Sequence, residues 1–99
     1  MKMFSQKHLT QALLYARNGG QALHVCKTDT LPALATPPSF RGAKEFAHLI
    51  DLDRARLIQT ARSIGVRNIV VDRDETDCQH IDIWGKPLSL ARSMCFEEK

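Results

Sequence analysis

The chain has 99 residues, of which 43% are hydrophobic and 25% charged, as expected for one ordinary globular domain spanning residues 1–99. No apolar run reaches the roughly 20 residues of a membrane span, and the N-terminus lacks the apolar core of a secretory signal. We therefore expect a cytoplasmic protein with no membrane partner. The formal net charge of +3 is compatible with weak affinity for nucleic acid or another anionic partner.

The three cysteines, Cys26, Cys78 and Cys95, are widely spaced and contain no C-x-x-C pair, which excludes a zinc ribbon. We expect all three to be reduced thiols with structural roles. Cys78 is set apart from the others because it lies two residues before a histidine, His80.

The first half of the chain predicts a helix, a strand and a long loop. Ser5–Asn18 is predicted to be helical, capped by Ser5 and ended by Gly19. Its apolar face, at helical spacing, consists of Leu9, Ala12, Leu13 and Ala16. Gln21–Lys27 alternates as a short strand. Thr28–Phe40 holds three of the four prolines and is predicted to be an extended loop, because proline lacks an amide donor.

The middle of the chain predicts a short extended segment, Phe46–Ile50, and a turn at Asp51. The best-defined helix, Asp53–Ile64, is capped by Asp53 and ended by Gly65. Its buried stripe is predicted to consist of Leu57, Ile58, Ala61 and Ile64. The arginines expected to face solvent are Arg54, Arg56 and Arg62.

The last third predicts two strands and a helix. Arg67–Asp72 is β-branched and apolar at its centre, which makes it the clearest strand, and the acidic stretch 73–79 is a loop. His80–Trp84 alternates as a strand. Pro87 suits the first position of a last helix that runs to about Met94.

The order of these elements predicts a small α/β domain with a three- or four-stranded sheet and about three helices. The helix that reaches the strand after it through Gly65-Val66 is typical of an α/β unit. The stretch from Phe46 to Ile83 is therefore predicted to be a βαβ-like scaffold.

A histidine and a carboxylate stand two residues apart on the last strand, so His80 and Asp82 share one face of the sheet. Such a pair can ligate a metal, or the carboxylate can orient the imidazole for acid–base work. An ordinary hydrogen-bonded pair at a strand edge is the alternative.

A second candidate group precedes the N-terminus of the middle helix, where free amides and the helix dipole favour an anion. We expect Asp51 and Arg41 to contact such a ligand and His48 to join His80 and Asp82 as candidate catalytic residues, with a divalent metal as candidate cofactor. Alternatively, Asp51 caps the turn and His48 is bonded within the sheet.

Two further features have less specific meanings. The acidic residues Asp72, Asp74, Glu75 and Asp77 are oxygen ligands suited to Mg²⁺ or Ca²⁺, but the EF-hand spacing is absent, so a solvated loop is favoured. Trp84 is expected to belong to the core or to a pocket wall. The nucleotide-binding and hydrolase glycine motifs do not occur in the sequence.

A series of short motifs runs through the chain: Arg41-Gly42, His48-Leu49-Ile50, Leu57, Ala61, Ile64-Gly65 and His80-Ile81-Asp82. Together they resemble the small bacterial and phage family called Domain of Unknown Function 4031. The resemblance covers about residues 38–94, leaves the helix at 5–18 outside, and implies His48, His80, Asp82 and Arg41 as site residues without implying a reaction. The chain departs from the family pattern at Leu52 (usually Asp), Ile58 (usually His) and Ile81 (usually Tyr).

Three hypotheses follow from the sequence. The first is a small enzyme or enzyme-like pocket that binds or hydrolyses an anionic or phosphorylated ligand. The second is a non-catalytic module, related to phage or mobile elements, that contacts nucleic acid or a protein through Arg54, Arg56, Arg62 and Arg67. The third is a subunit whose pocket residues are structural relics. Ligation of one metal by His48 and His80 requires their imidazoles to lie within about 8 Å of each other.

Overall fold

The computed structural model of the protein describes residues 1–27 and 44–96. The predicted loop 28–40, Arg41 and the polar tail 97–99 lie outside these residues. The described chain forms, in order, β1 (Lys2–Phe4), a 3₁₀ turn (Gln6–His8), α1 (Leu9–Arg17), β2 (Gln21–Lys27), β3 (Glu45–Asp51), α2 (Arg54–Ser63), β4 (His80–Trp84) and α3 (Gly85–Met94).

The strands form one mixed sheet in the order β1-β2-β3-β4. β1 runs parallel to β2, whereas β2 and β3, and then β3 and β4, are antiparallel neighbours. The predicted α/β class is confirmed, with four strands and three α-helices in the described residues. No helix in this part of the chain is long and apolar enough to cross a membrane.

Several elements agree closely with their predicted limits. β2 and β4 have the predicted bounds, and β3 contains the expected extended segment. Asp53 caps α2, since its carboxylate accepts a hydrogen bond of 3.0 Å from the amide of Arg56. Gly65 follows the end of α2 with a φ of 90°, a conformation that glycine adopts without strain.

The beginning of the chain differs from the prediction. Residues 2–4 form a strand that the sequence did not indicate, and the first helical turn is of the 3₁₀ type, so α1 begins only at Leu9. The Ser5 hydroxyl bonds to the ring of His8 at 2.8 Å and does not cap an amide. Pro87 is the third residue of α3, still within the first turn, where no amide donor is needed.

The prediction of a strand at Arg67–Asp72 is wrong. Only Asp72 pairs with β4, through an isolated bridge to His80, and Val70 is 57% exposed. Ile69 and Val71 pack against the main core. The β-branched residues therefore bury their side chains without joining the ladder.

The predicted βαβ-like scaffold is also wrong in its topology. β3 and β4 are antiparallel neighbours, whereas a βαβ unit joins parallel strands. The reason lies in the segment 64–79, which follows α2 and returns the chain to the end of β3, where Asp51 and Gln79 are bonded backbone to backbone. β4 consequently starts beside the end of β3.

The two faces of the sheet are covered differently. α2 and α3 pack on one face over the main core, whose strand residues are Leu23, Val25, Ala47, Leu49, Ile81 and Ile83. α1 packs on the other face, where Ala12 and Ala16 meet Ala22 and Ile50. Beside α1, this second face carries polar side chains from three strands.

Candidate functional site

The polar side chains beside α1 form a row across the sheet. His24 on β2 is paired in register with His48 on β3, which is paired in turn with Asp82 on β4. His80 stands two residues before Asp82, so its side chain lies on the same face. The sheet thus brings together His48, His80 and Asp82, the three residues named as catalytic candidates.

His48, His80 and Asp82 are in direct contact. Nδ1 of His48 donates a hydrogen bond of 2.7 Å to Oδ1 of Asp82, and Nε2 of His80 lies 3.5 Å from the same oxygen. The ring centroids of the two histidines are 4.9 Å apart, with the rings nearly perpendicular. One ligand atom from each residue can be chosen so that all three lie within 4.8 Å of one another. The two imidazoles therefore lie well within the separation of about 8 Å that ligation of one shared metal ion requires.

The orientation of His80 is set by the backbone. Its Nδ1 lies 2.8 Å from the carbonyl oxygen of Cys78, and because a carbonyl only accepts, Nδ1 must carry a proton. In the neutral ring, Nε2 then has its lone pair directed toward the carboxylates. Histidine ligands of metals are oriented in the same way by an acceptor on the other nitrogen. Cys78, singled out from the sequence, contributes its carbonyl group to this arrangement.

Asp72 is a fourth member of the site that sequence reasoning assigned only to the acidic loop. Two backbone hydrogen bonds, of 2.8 and 3.0 Å, tie it to His80, and its Oδ2 lies 4.0 Å from Nε2 of that histidine. Burial, together with the hydrogen bond and charge of Asp82, raises the pKa of Asp72. The sequence carried no signal for this approach, because it depends on the bridge between the loop and β4.

Asp82 loses its proton more readily than Asp72 does. Burial opposes its ionisation, but the hydrogen bond from His48 and the charges of His48 and His80 outweigh burial, so the pKa of Asp82 lies below its ordinary value. The site therefore places two carboxylates beside two imidazoles: Asp82, whose pKa is lowered, and Asp72, whose pKa is raised. This is a donor set suited to a cation.

His24 and Cys26 extend the row beyond His48 and were not among the predicted site residues. Nε2 of His24 bonds to the carbonyl oxygen of Gln6 at 3.1 Å, and Nδ1 lies 3.4 Å from Sγ of Cys26. Burial lowers the pKa of His24, and burial together with the charge of Asp82 raises the pKa of Cys26. The available signal was their alternation on β2, which places both on one face of that strand; the pairing of His24 with His48 brings this face beside the candidate site.

Asp51 does not join the histidines. It stands three residues after His48 on β3, so its side chain faces the opposite side of the sheet. Its carboxylate is completely buried and accepts hydrogen bonds from Gln21, Arg56 and the amide of Asp53. These bonds account for Asp51 as a structural residue that orders the turn into α2. The other predicted ligand contact, Arg41, lies outside the described residues.

The acidic loop and Trp84 take other positions. Asp74 is paired with Arg54 at 2.9 Å and Asp77 with Arg17 at 2.8 Å, so these two carboxylates are engaged by arginines. Trp84 packs beside Cys26 and Phe46 on the face that carries the histidines. It belongs to the apolar boundary of the row.

A cavity of about 260 Å³ lies beside Asp82, between β4, the start of α3 and the segment after α2. Its lining also includes Arg67, Asn68 and Trp84. A larger cavity of about 900 Å³ is lined by residues such as Met3 and Val25 and includes none of the clustered histidines and aspartates. Of these two cavities, the smaller one borders the candidate site, which it reaches through Asp82.

Comparisons with models of protein families, with curated proteins and with solved structures find no match to this chain. The resemblance to Domain of Unknown Function 4031 stays a prediction.

Proposed function

We propose that the protein binds one divalent metal ion through His48, His80 and Asp82 and uses it to bind and hydrolyse a small phosphorylated ligand. The observation that carries the proposal is the convergence of three ligand atoms within 4.8 Å from two neighbouring strands. Two imidazoles and one carboxylate are ligands that zinc and related transition metals accept.

The spacing of the ligand atoms supports this assignment. For bonds of about 2.1 Å in a tetrahedral site, neighbouring ligand atoms lie about 3.4 Å apart. The distance from Nε2 of His80 to Oδ1 of Asp82 is 3.5 Å. The hydrogen bond from His48 to Asp82, at 2.7 Å, has to open by roughly 0.7 Å to reach the same spacing. The proton that Nδ1 of His48 donates in this bond has to move to Nε2 or to solvent before Nδ1 can ligate a metal.

Three protein ligands leave a coordination position for water or for a phosphoryl oxygen. A metal ion at such a position lowers the pKa of bound water and polarises the phosphoryl group. Asp72 lies beside this ligand set, with its Oδ2 4.0 Å from Nε2 of His80, and its raised pKa suits a carboxylate that would take up the proton of that water. The chemistry supported best is therefore metal-assisted hydrolysis.

The cavity beside Asp82 suits a small anionic ligand. Its volume of about 260 Å³ is slightly below the range of about 300–1,000 Å³ that is typical of pockets for drug-sized ligands. Arg67 in its lining supplies positive charge, and guanidinium groups bind phosphate with two parallel hydrogen bonds.

The alternative function, a module that binds nucleic acid or protein through arginines of α2, has less support. Arg54 is paired with Asp74, and Arg56 with the buried Asp51, so part of the positive charge on this face is neutralised. Retention of the protein by DNA or RNA at low salt, lost as salt is raised, would favour this alternative.

We place the activity in the cytoplasm, as expected from the sequence. All three cysteines are free, and thiols persist in the reduced form in that compartment.

The proposal is tested by titrating the metal-free protein with Zn²⁺, Mn²⁺ and Co²⁺ in a calorimeter and by assaying hydrolysis of p-nitrophenyl phosphate and bis(p-nitrophenyl) phosphate. The informative variant is Asp82→Asn, and the matched control is Asp77→Asn, which removes the same charge from an exposed side chain paired with Arg17. Wild type and Asp77→Asn should bind metal and hydrolyse one of the esters. Asp82→Asn should lose at least about tenfold in metal affinity.

Equal affinity for Mn²⁺, which suits carboxylate ligands and not thiolates, in Asp82→Asn and wild type would refute the ligand set. Metal binding without hydrolysis of either ester would remove the catalytic half of the proposal and leave a metal-dependent binding site. Circular dichroism of each variant checks that the fold is intact.

A further inference from the structure

His48 also belongs to a second group of side chains that the proposed function does not use. His24 and Cys26, both on β2, can each place one ligand atom within 4.8 Å of a ring nitrogen of His48 and of each other. In the described part of the chain, this group and His48–His80–Asp82 are the two clusters with the spacing of metal ligands. His48 is common to both.

The orientation of His24 matches that of a metal ligand. Its Nε2 lies 3.1 Å from the carbonyl oxygen of Gln6, and because a carbonyl only accepts, Nε2 carries a proton. Nδ1 of the neutral ring therefore has its lone pair toward Sγ of Cys26. A backbone carbonyl thus orients His24 on β2 as another orients His80 on β4.

The distance between Sγ of Cys26 and Nδ1 of His24 also fits a shared metal ion. With a Zn–S bond of about 2.3 Å and a Zn–N bond of about 2.1 Å at tetrahedral angles, the sulfur and nitrogen lie about 3.6 Å apart. The measured distance from Sγ of Cys26 to Nδ1 of His24 is 3.4 Å. Thiolate and imidazole are therefore almost in place for a shared ion.

The third ligand has to move. The ring of His48 is stacked on that of His24, with centroids 5.7 Å apart and planes 8° from parallel, and its Nδ1 is bonded to Asp82. Two parallel, offset rings cannot both direct a lone pair at one ion, so His48 must turn to complete the group. Its side chain is 27% exposed, whereas His24 is buried, so His48 is the member of the group that turns.

We propose that His24, Cys26 and His48 form a second ligand set that takes one thiophilic divalent ion, such as Zn²⁺ or Cd²⁺, and that filling it withdraws His48 from Asp82. The thiol loses its proton to solvent as the metal–sulfur bond forms, so one proton is released for each ion bound. Thiolate ligands favour softer ions than carboxylate does. The two sets are therefore alternatives that compete for one histidine, His48, with the thiol-containing set favouring the softer ions, and only this competition rests on the proposed function.

Cobalt(II) titration of the metal-free full chain tests the thiol set, since a thiolate–cobalt bond produces a charge-transfer band in the near ultraviolet. The variant is Cys26→Ser, and the matched control is Cys95→Ser, which removes another partly buried thiol, one bonded to a carbonyl of α3. We expect the band in wild type and in Cys95→Ser and its loss in Cys26→Ser. A band that persists in Cys26→Ser, or that is absent from wild type, overturns the proposal. If Cys26→Ser does not fold, Cys26→Ala replaces it.

Competition between the two sets for His48 is tested by the number of Cd²⁺ ions bound per chain and by the variant His80→Gln. This variant removes a ligand from the set of His48, His80 and Asp82 only. We expect one Cd²⁺ per wild-type chain and an undiminished cobalt–thiolate band in His80→Gln. Binding of two ions per chain, or loss of the band in His80→Gln, overturns the claim that the sets are alternatives.

The two proposals fail in different ways. If Cys26→Ser still binds metal without the thiolate band, the set of His48, His80 and Asp82 is intact. If Cys26→Ser binds no metal while His80→Gln keeps the band, the thiol set stands and the proposed function fails.

Discussion

His48 and Asp82, which face each other across β3 and β4, are joined by a 2.7 Å hydrogen bond between Nδ1 and Oδ1. Both side chains are a little over one quarter exposed, so the bond is partly shielded from water and still reachable by a ligand. It connects the two strands at the residue that belongs to both candidate ligand sets. The coupling between His48 and Asp82 is therefore the first property to measure.

A double-mutant cycle of His48→Gln and Asp82→Asn in metal-free protein should give a coupling energy of about 0.5–1.5 kcal/mol, because either change alone breaks the same bond. Urea unfolding of the four proteins measures it. The control pair is Asp82→Asn with Arg62→Gln, an exposed residue of α2 on the other face, whose effects should add. Equal additivity in both cycles would show that the hydrogen bond contributes no coupling.

Arg56→Met should cost roughly 2–4 kcal/mol of unfolding free energy, because it leaves the buried carboxylate of Asp51 without its cation. The lower part of the usual range is expected, since Gln21 and the amide of Asp53 still bond to that carboxylate. Arg54→Met is the matched control: its partner Asp74 is exposed, and its cost should stay below about 1 kcal/mol. Similar costs for both variants in urea unfolding would refute a structural role for Asp51.

Leu57→Ala should cost about 2–5 kcal/mol, since Leu57 is fully buried in the main core between α2 and the sheet. Leu90→Ala makes the same change at a residue of α3 that is 41% exposed and should cost less than about 1 kcal/mol. Chemical denaturation of both variants measures the difference. A near-zero cost for Leu57→Ala would refute the assignment of the buried face of α2.

Glu45 and Arg92 link β3 to α3 with hydrogen bonds of 2.7 and 3.2 Å. The hydrogen bond from Arg92 lowers the pKa of Glu45 in the folded protein, so the pair stabilises the fold above the unfolded-state pKa and loses this effect as pH falls through the folded-state value. Both side chains are over one third exposed, which limits the effect to less than about 1 kcal/mol.

Glu45→Gln should therefore lower the unfolding free energy slightly at about pH 7 and have no effect at about pH 2, where the carboxyl is protonated in both states. Urea unfolding of Glu45→Gln and wild type at both pH values gives the comparison. The same difference at both pH values would assign the effect to packing and not to charge.

The segment around Val70 lies beside β4 without pairing, and this has a direct consequence for amide exchange. The amide of Asp72 donates to the carbonyl of His80 at 2.8 Å and should exchange slowly, whereas that of Val70 has no backbone acceptor within residues 1–27 and 44–96 and should exchange quickly. Hydrogen exchange followed by NMR measures both amides. Slow exchange at Val70 would indicate that a fifth strand forms in solution.

Local patterns in the sequence predicted most of the secondary structure. The alternation in β2 and β4 depends only on which face each side chain takes, and the cap of Asp53 and the stop at Gly65 are interactions within one turn. Arg67–Asp72 has the same kind of signal as a true strand. This segment does not form a strand, because Ile69 and Val71 pack against the core without backbone pairing.

The candidate site was predictable in part. His80 and Asp82 share a face by strand periodicity alone, and His48 became a candidate through its position before the N-terminus of the middle helix. Asp72 and Cys26 were missed because their approach to the histidines depends on an isolated bridge and on the pairing of β2 with β3. Asp51 was expected to contact a ligand. Because side chains alternate along β3, Asp51 lies on the face of the sheet opposite to His48.

The sequence by itself determined which side chains share a face of each strand, where α2 begins and ends, and which residue types were available for metal chemistry. These properties follow from periodicity and from interactions over a few residues. The tertiary structure decided that β3 and β4 are antiparallel neighbours, and strand register then set His48 between His24 and Asp82. Register depends on contacts between residues far apart in the chain, and these alone place the two candidate ligand sets around one shared histidine.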